Sequence, residues 1–240
     1  MRAHFLPLLL LPFGAPCTAA EQDCASATAC NQAGTAAYQA GRYEQAIAAF
    51  ERQLRRTEQA NGDAGGGEEL ALNNLMLANL RAGQPGMARA WLEVALDRGF
   101  SGAATRHNLG KVAQALDFAA LAASVEGHYL RYAGQGLWSS LDIQRQGQGY
   151  EVFFSPLRAG FQVEDYGPAA IGELTGRISG SGPHFRLTDA GLEQGCAVEL
   201  LWQGADLRVL EVPGERCQAY GGAGIGVAGR YYKTSGAAQF

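Results

Sequence analysis

The spacing of apolar residues changes character once along the chain. From about Asn31 to Gly134 the sequence is rich in Ala and Leu at steps of three and four, with few β-branched residues, a helical pattern. The texture shifts at Ala133-Gly134-Gln135-Gly136, after which glycines multiply and short alternating or aromatic-rich runs take over. Those runs predict strands near Leu137–Gln144, Tyr150–Ser155, Gly160–Val163, Ile171–Ser179, His184–Thr188, Cys196–Trp202, Leu207–Val212 and Ile225–Lys233. Gln203-Gly204-Ala205-Asp206 has a tight-turn composition between the sixth and seventh of them. Phe118, Leu121, Val125, Tyr129 and Tyr132 fall on one helical stripe, which predicts a last helix sealing the first half or docking it on the second. The expected class is α+β in two domains. Residues 21–133 form the helical part, and residues 134–240 form a small antiparallel β-barrel or sandwich of about eight strands.

The helical part repeats itself. Asn74-Leu75-Met76 and Asn108-Leu109-Gly110 are offset by 34 residues, and Gly34 precedes Met76 by 42, the excess falling in the loop Asn61–Gly67. Gly41 before Ala46 and Gly83 before Ala88 are likewise 42 apart. Small residues at this period resemble the tetratricopeptide repeat, in which two antiparallel helices approach closely; an ordinary helical bundle is the alternative. The resemblance places Gly34, Ala46 and Phe50 at packing positions of a first repeat. Leu75, Ala88, Leu92 and Ala95 follow in a second, and Leu109, Gly110 and Ala122 in a degraded third. It also puts Gln32, Asn74 and Asn108 at equivalent positions on the groove-lining helices, with Arg81 and Lys111 on the same faces. A carboxamide can both donate to and accept from the backbone of an extended peptide, and the two cations suit a carboxylate. A solvated helix face is the competing reading of all five.

In the second half, Gly136-Leu137-Trp138 opening the first expected strand and Arg230 in the last resemble the lipocalin and avidin superfamily. There an arginine of the closing strand covers the first-strand tryptophan, which implies a barrel able to carry a small ligand. Ser179-Gly180-Ser181-Gly182-Pro183-His184-Phe185 is similar to the Ser-Gly loop of bacterial C-type lysozyme inhibitors. That similarity makes Ser179, Ser181 and His184 candidate contact residues. A glycine-rich hairpin turn is the plainer reading.

Composition adds the compartment. Arg2, the apolar run Phe5–Phe13 and the small residues Thr18-Ala19-Ala20 have the layout of a secretory signal over residues 1–20. That run is shorter than the roughly 20 residues a membrane-spanning helix needs, so no transmembrane segment is expected, and the bacterial periplasm or the exterior is the expected destination. The cysteines beyond it, Cys24, Cys30, Cys196 and Cys217, are an even set suited to an oxidising compartment. Three pairings are open, and proximity favours Cys24–Cys30 and Cys196–Cys217. A zinc site lacks any C-x-x-C spacing. The formal net charge of −4 with no basic run argues against a nucleic-acid partner.

Catalytic patterns are weak. Gly224-Ile225-Gly226-Val227-Ala228-Gly229 spells a dinucleotide fingerprint, but too few residues follow for the helix that would receive the pyrophosphate. Beyond the signal only His107, His128 and His184 could serve as imidazole bases, and no serine stands in a G-x-S-x-G elbow. Glu173, Glu199 and Asp206 could meet across a barrel, but nothing in the sequence pairs them. The expectation is a non-enzyme without a cofactor or metal, binding a protein or peptide through the repeats.

Overall fold

A computed structural model of the chain describes residues 24–60, 66–160, 163–180, 182–188, 198–210 and 224–239. The expected signal segment, Ser181, Cys196 and Cys217 lie outside them. Five helices come first: α1 (Ala27–Gln39), α2 (Tyr43–Gln59), α3 (Gly66–Arg81), α4 (Pro85–Asp97) and α5 (Ala103–Ala115), followed by the short α6 (Phe118–Ala122). Three of these helices end alike. Gly41, Gly83 and Gly99 all adopt positive φ (74°, 77° and 79°). The next residue's amide then returns to a carbonyl five back, as Arg42 N does to Ala37 O and Gln84 N to Asn79 O, both at 2.9 Å. Gly34 lets α1 and α2 touch, since a Cβ there would stand 2.4 Å from the Phe50 ring. A disulfide between Cys24 and Cys30, Cα atoms 5.0 Å apart, ties the lead-in to α1.

The second half closes into a barrel of eight antiparallel strands. They are β1 (Gly127–Gly134), β2 (Leu137–Gln146), β3 (Gly149–Ser155), β6 (Leu174–Ser179), β7 (His184–Thr188), β8 (Val198–Gln203), β9 (Asp206–Leu210) and β10 (Gly229–Ser235). Around the barrel the order is β1-β10-β9-β8-β7-β6-β3-β2. Between β3 and β6 an insertion pairs β4 (Leu157–Arg158) with β5 (Ala170–Ile171) around α7 (Val163–Tyr166). Alternate residues point inward and fill the barrel, among them Tyr129, Leu141, Ile143, Phe154, Leu187 and Tyr231, all fully buried. Phe154 and Tyr231 meet edge to face at 5.5 Å.

Four expectations are corrected. The first strand starts at Gly127, ahead of the expected border at Gly134, so the stripe Phe118–Tyr132 is not one helix. The helix ends at Ala122, and Val125 already packs in the barrel core. Gly127, at φ 148°, turns the chain into β1, where Tyr129 faces the barrel interior and Tyr132 the helices. No strand covers Gly160–Val163; residues 161–162 are outside the described set and Val163 opens α7. The expected strand Ile171–Ser179 is divided between β5 and β6. Trp138 lies in the second strand, and Arg230 stacks on Tyr232 at 5.3 Å instead of covering it.

The two halves share a packed and charged interface. On the outer barrel wall Tyr132, Trp138 and Tyr232 join the helical core. Trp91 of α4 meets Trp138 at 4.7 Å and Tyr132 at 5.4 Å, edge to face in both cases. Gly86 abuts β10 so closely that a Cβ would stand 2.1 Å from the Thr234 carbonyl oxygen. At the centre lies the Asp206 carboxylate. It accepts from Arg89 Nη2 of α4 at 2.7 Å, from Arg230 Nη2 at 2.7 Å and from the Lys233 amide at 3.1 Å. Removing one partner of a buried ion pair costs about 3–5 kcal/mol, because the other charge stays desolvated. Asp206→Ala is therefore expected to lower unfolding free energy by about that amount. Urea unfolding followed by far-UV and near-UV circular dichroism should show both signals shifting together in one transition.

Candidate functional site

The face of the helical array away from the barrel is built by α1, α3 and α5, which lie side by side. Side-chain amides stitch them together. Asn74 Nδ2 donates to Asn31 Oδ1 at 2.8 Å, and Asn108 Nδ2 donates to Asn73 Oδ1 at 2.7 Å. Thr105 Oγ1 and the Gly102 amide both donate to Glu69 Oε1 at 2.7 Å. The expected register is thus displaced by one residue: Asn74 meets Asn31, while Gln32 is exposed and bonded to neither. Asn108 is 2% exposed, so its amide serves α3 and is not offered to a peptide. Asn74 is half-buried, and Arg81 and Lys111 are exposed. Asn31, Asn73 and Glu69 were not among the expected site residues; the Asn73-Asn74 doublet was their one visible signal.

On α3 the residues facing out are Leu70, Asn74, Leu77 and Arg81, at steps of four, three and four. Leu70 is 47% exposed. The stripe ends at a shallow cavity of about 470 Å³ lined by Arg42, Tyr43, Glu44 and Arg81, where Arg81 Nε reaches Tyr38 Oη at 3.3 Å. A second cavity, about 570 Å³, lies between the array and the β1–β2 hairpin and is lined by Glu58, Glu68, Arg98, Phe100 and Gln135. Its polar groups are already engaged. Glu58 accepts from Tyr132 Oη at 2.9 Å and from the Gln135 amide at 2.7 Å, and Arg98 pairs with both Glu58 and Glu68.

The Ser179–Phe185 segment joins β6 to β7. Ser179, Gly180, Gly182 and His184 are exposed, Ser181 is outside the described residues, and the Trp202 amide pins the loop by donating to Pro183 O at 2.7 Å. The other histidines are dispersed: His107 is exposed, and His128 Nδ1 faces Asp142 Oδ1 at 2.8 Å beneath the C-terminal segment, whose Gln239 amide donates to the same oxygen. Among the described residues no group of three or more His, Cys, Asp or Glu could hold a metal, and no helix is long and apolar enough to cross a membrane.

The strongest electrostatic perturbations lie at the interface and in the barrel interior beside it. Lys233 is 1% exposed; its Nζ donates to the carbonyls of Leu121 (2.8 Å) and Ser124 (2.5 Å) and stands 5.5 Å over the Tyr129 ring. Desolvation pulls its pKa down to about 8, against the opposing pull of Glu126 and with a push from Arg89. Burial drives the Tyr129, Tyr132 and Tyr232 phenols upward, with Glu58 beside Tyr132 and Asp97 beside Tyr232 adding to it. No family model, curated protein or solved structure matches the chain.

These shifts have opposite signs in linkage. Between about pH 8 and the ordinary lysine value of 10.5 the unfolded chain binds a proton that folded Lys233 has released, so stability rises with pH. Above the ordinary phenol value of 10.0 the unfolded tyrosines ionise while the buried ones stay protonated, and stability falls. Unfolding free energy is expected to climb from pH 8 toward 10 and then decline. Lys233→Met should flatten the climb and spare the decline; an unchanged slope in that variant would reject the assignment.

Proposed function

We propose that this is an exported, non-enzymatic binding protein. A tetratricopeptide-type array receives an extended protein segment along the face shared by α1, α3 and α5. The barrel acts as a rigid buttress. One observation carries the reading: the barrel docks on α4 and the end of α2, leaving Leu70 and Arg81 of α3 exposed with Asn74 and Leu77 half-buried between them. Two leucines offer apolar contact and Arg81 a charge for an acidic group on the peptide, while Asn74, bonded to Asn31, fixes the stripe between them. The packed barrel interior favours this over a small-ligand carrier of the lipocalin kind, because apolar side chains occupy the space such a ligand would need. Gln32 and Lys111, both exposed, are available at the margins of the same face.

The barrel loop supports a second reading. Ser179 and His184 project from a turn held by Trp202 and could enter the cleft of a target enzyme, in the manner of a lysozyme inhibitor. The purified chain in micromolar excess over a muramidase decides it: inhibition lost in His184→Ala supports the loop reading, and unaltered turnover removes it.

For the array, the mature chain and its Leu77→Glu/Arg81→Glu variant are compared in pull-downs from a bacterial envelope extract. Loss of the recovered partner in the variant is the expected result, and equal recovery overturns the groove. Export to the periplasm makes its own prediction. Protein recovered from an oxidising compartment should begin at Glu21 and carry Cys24–Cys30 and Cys196–Cys217 bridges; intact mass and a non-reducing peptide map read both.

A further inference from the structure

We infer that the bare flank of α5 is a docking surface for one acidic amphipathic helix of a partner protein, seated where the second helix of the third hairpin would stand. This goes beyond the groove reading, because the flank is a different side of the array.

The molecule shows twice what covers this flank. In the first hairpin Gly34 of α1 lies under Phe50 of α2. In the second, Leu75, Met76 and Asn79 of α3 are 0%, 0% and 2% exposed in the core that α4 closes with Ala88 and Leu92. The same positions 34 residues later are Leu109, Gly110 and Ala113. Leu109 is 47% exposed, nothing stands within 4 Å of a Cβ at Gly110, and Ala113 is exposed. The reason is length: α4 has 13 residues, but α6 has 5 and cannot run back along α5. A helix of ordinary diameter is thus the shape the flank is made for, with the small Gly110 and Ala113 allowing close approach and Leu109 supplying the apolar contact.

Charge selects among possible helices. Arg106 precedes Leu109 by three positions and so shares its flank; its Nη1 also donates to the Ser101 carbonyl. Arg106 is the one charged residue that α5 places on this flank, since Lys111 lies two positions from Leu109 on the groove side, and α5 carries no carboxylate. A second copy of the chain would bring like charges together across the contact, whereas an acidic helix is complementary.

The probes are fluorescein-labelled peptides of residues 85–98, the chain's own flank-covering helix. One is made acidic by Arg89→Glu and Arg98→Glu, the other basic by Glu93→Lys and Asp97→Lys. Each is titrated with the full mature protein and followed by anisotropy. The expected result is saturable binding of the acidic peptide, weakened at least about tenfold by Leu109→Asp, with preference shifting to the basic peptide in Arg106→Glu. Leu109 is half-exposed, so the variant should fold, and an unchanged circular dichroism spectrum verifies it. The inference is overturned if neither peptide binds, if Leu109→Asp binds equally, or if the basic peptide binds wild type more tightly. A wild-type dimer that Leu109→Asp dissolves would equally overturn it, making the occupant a second copy. Arg81→Glu separates the two readings: it leaves this binding intact if the flank is the site. If it abolishes binding, the peptide sits in the groove and only the flank assignment falls.

Discussion

A carboxylate taken out of water must be surrounded by donors, and Asp206 shows how far that requirement reaches. It begins β9, immediately after the Gly204 turn, yet its two oxygens are shared among Arg89 from α4, Arg230 from β10 and the Lys233 amide. Arg230 continues the chain of charges to Glu93 at 3.0 Å, and Arg89 reaches the same Glu93 at 3.5 Å. The Arg89–Asp206 and Arg230–Glu93 contacts form only when α4 lies against β9 and β10. The aromatic contact of Trp91 with Tyr132 and Trp138 supplies apolar area that a flat wall of either half would otherwise expose. Buried ion pairs contribute little net stability against a hydrophobic replacement, but they penalise misalignment severely. The charged cluster therefore sets geometry, and the aromatic patch supplies most of the attraction.

That fixed docking decides where function can reside. Among the described residues, tyrosine, phenylalanine and aliphatic side chains pack the interior of the barrel. Its wall toward the helices is occupied, and the cavity at the β1–β2 hairpin is crossed by ion pairs of Glu58, Glu68 and Arg98. The array surface turned away from the barrel stays uncovered, as does the loop bearing Ser179 and His184. On the array the amide pairs Asn31–Asn74 and Asn73–Asn108 hold successive helices in register. Satisfied buried amides are rigid, so the stripe between them is presented with little conformational freedom left to lose on binding.

How much of this was legible follows from the range of each interaction. Helix ends were readable because Gly41 and Gly83 act within their own turn, and the Gly34–Phe50 contact because the repeat period carries it. The barrel was readable because alternation is local to each strand: His184–Thr188 matches β7, and the turn after Gln203 stands where composition put it. Strand β1 was hidden because Tyr129 and Tyr132 satisfy a helical step as well as a strand that buries both faces, one in the barrel and one on the helices. The amide ladder was displaced by one residue because Asn73 and Asn74 are adjacent and only packing chooses between them. Asp206, Arg89 and Lys233 were invisible as a group, being 117 and 27 residues apart in sequence in their contacts. Arg230 was expected on Trp138, but the acidic residues of α4 and β9 outcompete an aromatic face for a guanidinium.

Lys233 links the fold's economy to the open flank of α5. Its ammonium donates to the carbonyls of Leu121 and Ser124, the last turn of α6 and the residues just beyond it. A cation at that place satisfies acceptors that a continuing helix would have used itself, and it favours the negative end of the helix dipole. Three residues after Ser124 the chain reaches Gly127, where a Cβ would stand 2.3 Å from the Ser235 carbonyl oxygen and 2.5 Å from Lys233 Cε, so glycine is what lets the strand pass β10 there. The amine thus fastens β10 to the end of the array, where α6 stops after five residues and the chain turns into the barrel. Extending α6 to the length of α4 would carry Gly127 away from β10 and open the barrel seam between β1 and β10. The incomplete third hairpin is in this sense a consequence of barrel closure, and the uncovered Leu109 follows from it.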